Sequence, residues 1–417
     1  MSAPSTEEAA VLASLDNQGP ALLAQVEGWS AINSGSRNLE GLAHMAKVLG
    51  EAFGPLGGNL SLRDPAVATA VDAQGRETPL LHGRNLHLIQ RPEAPIRVLL
   101  TGHMDTVFAA DHPFQAVHRL DDNTVNGPGM ADMKGGIAVM LAALRAVEAS
   151  PFAAALGYEV VLNSDEEVSS PGSAPLLVEA ARRVQAGLTY EPSMPDGALA
   201  GARKGSGNFS AVIKGRAAHA GRNPQDGRNA IVAAGDLALG VAAFAKRRPT
   251  LSANPARIDG GGPNNIVPDL AILRFNLRPT TVEDQHWAEA AMAEVIAAVA
   301  AEHEVEITLK GGFGRPPKPL DANQRRLFDL VKACGADLGL DIGWRDTGGV
   351  CDGNNLAACG LPVVDTLGVR GGAIHSDEEY LLVDSLVERA RLSALLLMRL
   401  AQGALPAAIA ASAGANA

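Results

Sequence analysis

The chain has 417 residues, long for one hydrophobic core, which rarely grows past about 250–300 residues, so two domains are expected. Apolar residues make up 47 % and charged residues 19 %, a balance that buries a large core and excludes a disordered main body. The formal net charge of −11, with no polybasic run, excludes a nucleic-acid partner, which needs a basic face.

The opening MSAPSTEEAA lacks the basic start and apolar stretch of a signal peptide, and no apolar run reaches the ~18 residues of a membrane span. The three cysteines, Cys334, Cys351 and Cys359, have no metal-like spacing and read as reduced thiols in a cytoplasmic protein. Residues from Thr6 to Phe53 are expected to be helical, with Met45, Val48, Leu49 and Phe53 forming an apolar stripe. The apolar strand Ile96 to Leu100 runs into Gly102-His103-Met104-Asp105. A Gly-rich loop, Asn126 to Lys134, precedes a helix from Gly136 to Glu148. A second strand, Tyr158 to Leu162, leads to Asp165-Glu166-Glu167, and a helix follows from Ala174 to Gln185. A third strand, Gly187 to Tyr190, ends at Glu191. Strands alternating with helices predict an α/β sheet, mostly parallel and covered by helices on both faces.

From Lys204 the pattern changes to strand, helix, two strands, helix, strand: Phe209 to Lys214, Arg228 to Lys246, Ala256 to Ile258, Leu270 to Leu277, Thr281 to Ala301, and Glu304 to Leu309. That order predicts an inserted ferredoxin-like α+β unit. The α/β pattern resumes with a helix from Gln324 to Leu338, the Gly-rich Thr347 to Asn355, a strand from Pro362 to Leu367, Gly371 to His375, and a last helix from Val383 to Leu400. The expected organisation is a first catalytic part, 1–203, an insert, 204–315, a second catalytic part, 316–402, and an Ala-rich flexible tail, 403–417.

Ligands bind at the carboxyl ends of strands in open α/β sheets. Those ends carry His103, Asp105, Glu166, Glu167, Glu191 and, after a turn, His375; Asp132 lies in the Gly-rich loop. Imidazole and carboxylate suit Zn²⁺ outside cysteine sites. Converging carboxylates repel one another unless cations are present, and two divalent ions sharing one short bridging carboxylate remove that cost. Asp132, among Gly127, Gly129, Gly135 and Gly136, suits the bridge. Singly, each residue has an ordinary reading: a structural histidine, a solvated acidic turn, a glycine turn. Their joint order at strand ends makes that reading improbable.

The segments Gly102 to Thr106, Gly127 to Gly136, Asp165 to Glu167 and Tyr190-Glu191-Pro192 resemble the zinc metallopeptidase and deacylase family of glutamate carboxypeptidase, aminoacylase, acetylornithine deacetylase and succinyl-diaminopimelate desuccinylase. Gly215 to Gly221, Asn265 to Pro268 and the terminal Gly-Gly-x-x-His375-Ser376 are similar as well, and the nearest likeness is to the glutamate carboxypeptidase branch. The resemblance implies a dizinc amidohydrolase with a zinc-exopeptidase-like catalytic domain, Co²⁺ or Mn²⁺ being alternatives to Zn²⁺. It implies that His103 and Glu191 hold one ion, Glu167 and His375 the other, and Asp132 both. Glu166 would be the general base, on the water held between the metals, and Asp105 would hold His103. His219 would reach the partner subunit's site and stabilise the oxyanion, while Asn265, Arg278 and Arg315 would bind the substrate's carboxylate. A homodimer through the insert is expected. Glutamate-specific members carry a lysine after the Glu-Pro ligand; Ser193 to Ala200 has none, and Arg203 and Lys204 follow it. The expected reaction is amide cleavage beside a free carboxylate in a small peptide or N-acyl amino acid. Carboxypeptidase action comes first, N-acyl-amino-acid deacylase action second. An aminopeptidase, disfavoured by Glu191, and a catalytically inactive binding protein come last.

Overall fold

The computed structural model describes residues 3–405. The expected flexible tail lies outside the described residues from position 406 onward.

The larger sheet has six strands, in the order Asn59–Arg63, Asn85–Gln90, Leu156–Asn163, Ile96–His103, Ala186–Thr189, Val363–Val364. The last four are parallel. Side-chain alternation along the central strands feeds two cores. Val98, Leu100, Tyr158, Val160 and Leu162 join one apolar cluster with the helices Gly136–Glu148 and Asp384–Ala401. Leu99, Val161 and Val363 join another with the helix Ala174–Ala181. Near-complete burial of these strands follows from helices on both faces.

Two details differ from the expectation. The edge strands Asn59–Arg63 and Asn85–Gln90 are antiparallel additions in a stretch that carried no expected strand. The helical stretch from Thr6 to Phe53 is three helices, Thr6–Ala13, Gly19–Ser30 and Leu39–Phe53. Pro20 starts the second, and the Asn38 side chain caps the third by accepting from the Gly41 N–H.

A second, four-stranded antiparallel sheet has the order Ser252–Gly260, Leu270–Arg278, Ser206–Lys214, Glu306–Arg315. One face, with Phe209, Ala211, Leu273 and Phe275, packs under the helices Ala230–Ala242 and Val282–His303. Phe209 stacks on Phe275 with ring centroids 5.2 Å apart. Thr281 and Asp284 form a reciprocal capping box at the start of the longer helix. The other face carries Asn208, Asn276 and Arg278 towards the larger sheet's site. The chain leaves and re-enters the larger body side by side: the Arg203 N–H donates to the Lys318 carbonyl at 2.9 Å, and Lys318 N–H to Arg203 at 3.0 Å. Among the described residues, no helix is long and apolar enough to cross a membrane.

Candidate metal centre

Register sets the site. His103 pairs with Asn163, and Thr101 with Thr189, so three parallel strands end at one sheet edge. Glu166, Glu167 and Glu191 follow within a few residues of those ends. The Asp132 loop reaches the same edge because glycine permits two steps. Gly129 has φ +70°, and a Cβ on Gly136 would sit 2.0 Å from the Tyr190 carbonyl oxygen. His375 has φ +65° in the turn after the Gly371–Gly372 strand.

The five expected ligands come together. His103 Nε2 lies 3.0 Å from Asp132 Oδ1 and 3.7 Å from Glu191 Oε2. His375 Nε2 lies 3.2 Å from Asp132 Oδ2 and 3.1 Å from Glu167 Oε2. The donors therefore form two triads, His103–Asp132–Glu191 and Asp132–Glu167–His375, within 4.8 Å in each and joined by Asp132. Three carboxylates and two imidazoles in this arrangement fit a pair of divalent ions. The charges of the ligand groups agree with that fit. Burial pushes the Glu167 carboxyl up to about 8, and raises Glu191. The two histidines oppose burial and hold Asp132 well below the usual range. Hydrogen bonds to Asp132 and Glu167 hold the His375 imidazole up at about 11.

Asp105 organises the neighbourhood. Its Oδ1 accepts from the Glu166 N–H at 3.2 Å and lies 3.4 Å from His103 Nδ1. Its Oδ2 accepts from the Glu167 N–H at 3.2 Å and from Ser36 Oγ at 2.7 Å. Glu166 and Glu167 point apart, the first to Arg315 and the second to His375. Burial lifts the Glu166 carboxyl to about 7.

A cavity of about 630 Å³ opens on both triads and is lined by Arg203, Arg278, Arg315, Met194 and Ile374 among others. The substrate-contact expectations divide here. Arg278 lines the cavity. Arg315 lines it too but is 4 % exposed, and its Nη2 sits 2.7 Å from Glu166 Oε1 and 2.9 Å from Ser170 Oγ. Its geometry is that of a clamp on Glu166 rather than a free carboxylate grip. His219 and Asn265 do not line this cavity. They neighbour each other on exposed loops of the smaller sheet, Asn265 O accepting from the Ala220 N–H at 3.0 Å. His219 Nδ1 accepts from the N–H groups of Gly221 and Arg222, so in the neutral ring Nε2 carries the proton.

Glu379 was not singled out in the sequence. It is 1 % exposed, and its carboxylate accepts from the N–H groups of Ala131 and Asp132 at 3.0 Å and of Gly129 at 3.3 Å. An acid leading into the apolar strand Tyr380–Leu382, four residues after His375, was the available signal. Cys351 is buried and caps the helix Asp352–Ala358 through its sulfur, consistent with an inert thiol.

Comparison with known proteins agrees with this geometry. Residues 99–399 match the profile of Peptidase family M20/M25/M40. The chain is 29 % identical over 394 residues to Carboxypeptidase G2 of Pseudomonas sp. (strain RS-16), covering 94 % of this chain and 92 % of that one. It is 30 % identical over 338 residues to a succinyl-diaminopimelate desuccinylase of Xanthomonas oryzae pv. oryzae (strain MAFF 311018), covering 76 % and 86 %. In fold it is similar to an M20 family metallo-carboxypeptidase from Sulfolobus solfataricus, with TM-score 0.68, 14 % identity and coverage of 93 % and 100 %. A tripeptidase from Staphylococcus aureus superposes with TM-score 0.70, 23 % identity and coverage of 92 % and 99 %. With a profile match across most of its length and paired donor triads at the sheet edge, the chain belongs to Peptidase family M20/M25/M40 and is a hydrolase of amide or peptide bonds.

Proposed function

We propose that the chain is a dinuclear metallohydrolase that cleaves an amide bond beside a free carboxylate, acting as a carboxypeptidase. The observation that carries this reading is the pair of donor triads sharing Asp132, with Glu166 at the same cavity. The long match to Carboxypeptidase G2 supports the carboxypeptidase side. The desuccinylase relatives favour a second reading, N-acyl-amino-acid deacylation by the same chemistry.

In this reading His103 and Glu191 hold one ion, Glu167 and His375 the other, and Asp132 both, with Zn²⁺ as the resident metal. Bound cations supply Lewis acidity and acidify water. The chain's own groups do the rest. Glu166 takes a proton from the attacking water at a carboxylate oxygen and passes it to the leaving nitrogen. Arg315 holds Glu166 in place, and Asp105 fixes the His103 ring and the Glu166–Glu167 backbone. Arg278 binds the substrate's free carboxylate through its planar fork. Residues 204–315 act as an inserted lid and dimerisation unit between 1–203 and 316–402. His219 Nε2–H, with Asn265 beside it, reaches the partner subunit's cavity in a homodimer and donates to the developing oxyanion. Three free thiols suit a cytoplasmic enzyme.

Glu166→Ala tests the assignment. The variant should keep two metal ions per chain by elemental analysis and lose turnover on N-acyl amino acids and dipeptides by roughly 10²–10⁴-fold. Full turnover in the variant would remove Glu166 from the mechanism.

A further inference from the structure

Arg315 belongs to the smaller sheet, yet its guanidinium is committed to the larger body. It ends the strand Glu306–Arg315 and pairs with Ser206 across the ladder. Besides the contact with Glu166 Oε1, its Nη2 donates to the Glu166 carbonyl at 2.8 Å and lies 3.4 Å from Asp352 Oδ1. A buried guanidinium takes its place from the acceptors around it, because leaving them strands a desolvated charge. Of the two carboxylates on Arg315, Glu166 is the one at the cavity, and Asp352 is the anchor behind.

Asp352 is buried and held by donors. Its Oδ2 accepts from Asn163 Nδ2 at 2.6 Å, and its Oδ1 accepts from Ser170 Oγ, the same hydroxyl that accepts from Arg315. Burial raises the Asp352 carboxyl, and the charge of Arg315 and the Ser170 hydroxyl oppose that rise. Asn163 ends the strand Leu156–Asn163 and pairs with His103, so the anchor is tied to the sheet edge that carries the donor triads.

The helix Asp352–Ala358 starts without slack. A Cβ on Gly353 would sit 1.9 Å from Asp365 Oδ1. The Oδ2 of Asp365 accepts in turn from Arg203 Nε at 2.6 Å and Lys318 Nζ at 3.0 Å, the side chains at the crossing between the two bodies. Asn354 Nδ2 donates to the carbonyls of Lys204 at 2.9 Å and Pro316 at 2.8 Å, and Asn355 Nδ2 to that of Gly314 at 2.9 Å. The first turn of one helix therefore grips the backbone on both sides of Arg315, and Asp352 grips its side chain.

Resting on the reading of Glu166 as the base, we propose that Asp352 is a positioning residue for the hydrolysis: it orients Arg315, and Arg315 orients the Glu166 carboxylate. Asp352 belongs to neither donor triad and does not line the cavity, so it reaches the reaction only through this contact. Misplacement of a reacting group by about 1 Å costs on the order of 100-fold in rate.

The test uses the full-length, zinc-loaded protein and compares wild type, Asp352→Asn, Arg315→Gln and the double variant on a dipeptide and an N-acyl amino acid. Asp352→Asn should keep two zinc ions per chain by elemental analysis, hold KM within about threefold, and lose roughly 10–100-fold in kcat. Arg315→Gln should lose at least as much, and adding Asp352→Asn to it should cost less than about threefold more, because one residue acts through the other. Asn163 can turn its amide to face an asparagine at 352, which favours folding; circular dichroism checks it. Should these variants fail to fold, Ser170→Ala removes only the bridging hydroxyl and should lower kcat by about two- to tenfold at unchanged KM. An unchanged kcat in folded Asp352→Asn overturns the inference, and so does an unchanged kcat in Ser170→Ala where that variant stands in. So does a raised KM at constant kcat, which would put Arg315 on the substrate. Loss of zinc from Asp352→Asn, or losses that multiply in the double variant, would make Asp352 a support of the fold and overturn it as well. Failure of wild type to hydrolyse any dipeptide or N-acyl amino acid strikes the hydrolase reading instead, and full turnover in Glu166→Ala strikes the base assignment.

Discussion

Glu379 ties two distant segments through one carboxylate. It follows His375 by four positions, yet the three donors to its carboxylate all belong to the Asp132 loop. Outer partners of this kind typically contribute 10–100-fold to metal affinity. Glu379→Gln should therefore weaken zinc binding by roughly 10–100-fold, measured by competition with a chelator. Unchanged affinity would mean that the loop holds its shape unaided. Protons compete for the same donors. The metal-free pKa values of Glu167 and His375, about 8 and about 11, both stand above their ordinary values. A raised value contributes stability below the unfolded pKa and loses it as pH climbs through the folded one. For Glu167 that loss runs from about pH 4.5 to about 8. Metal binding must displace these protons, so it strengthens as pH rises. The difference in melting temperature between zinc-loaded and metal-free protein should widen from pH 6 to pH 8. A narrowing gap would contradict this proton competition.

At the scale of elements, what was legible was what has a local period. The central strands are short apolar runs, and His103, Glu167 and Glu191 stood out at or just after their carboxyl ends, while Asp132 in its Gly-rich loop and His375 after a turn were picked out with the help of the family resemblance. The strand–helix–strand–strand–helix–strand order of 204–315 was equally readable, because Phe209, Leu273 and the Thr281 cap follow strand and helix rules. The edge strands were not. Asn59–Arg63 is half exposed without clean alternation, so its sequence resembles a loop. Ser36, Glu379 and the Arg203–Asp365–Lys318 cluster carry no local signal. Their partners lie 69, about 250 and 162 positions away, and only the folded chain brings them together. Arg315 shows the same limit: its place in the chain suggested a substrate contact, while the fold sets it against Glu166.

In the proposed homodimer, the exposed pair His219 and Asn265 makes the oligomer part of the mechanism. Complementation decides between subunits. Glu166→Ala and His219→Ala homodimers should each be inactive. Dissociated and reassociated in equal amounts, they should recover about a quarter of wild-type activity. Half of the dimers are then mixed, and each mixed dimer has one site with an intact base and an intact neighbour. If His219 served its own chain, the mixture would stay inactive.

The crossing at Arg203 and Lys318 has a bearing on how such a protein came to be built. The smaller sheet and its helices leave and rejoin the larger body at one place, where Arg203 and Lys318 exchange a pair of backbone hydrogen bonds. A segment attached this way can be gained, lost or exchanged in evolution without rerouting the chain around it. The path of the larger body continues from Arg203 to Lys318 across that pair of hydrogen bonds.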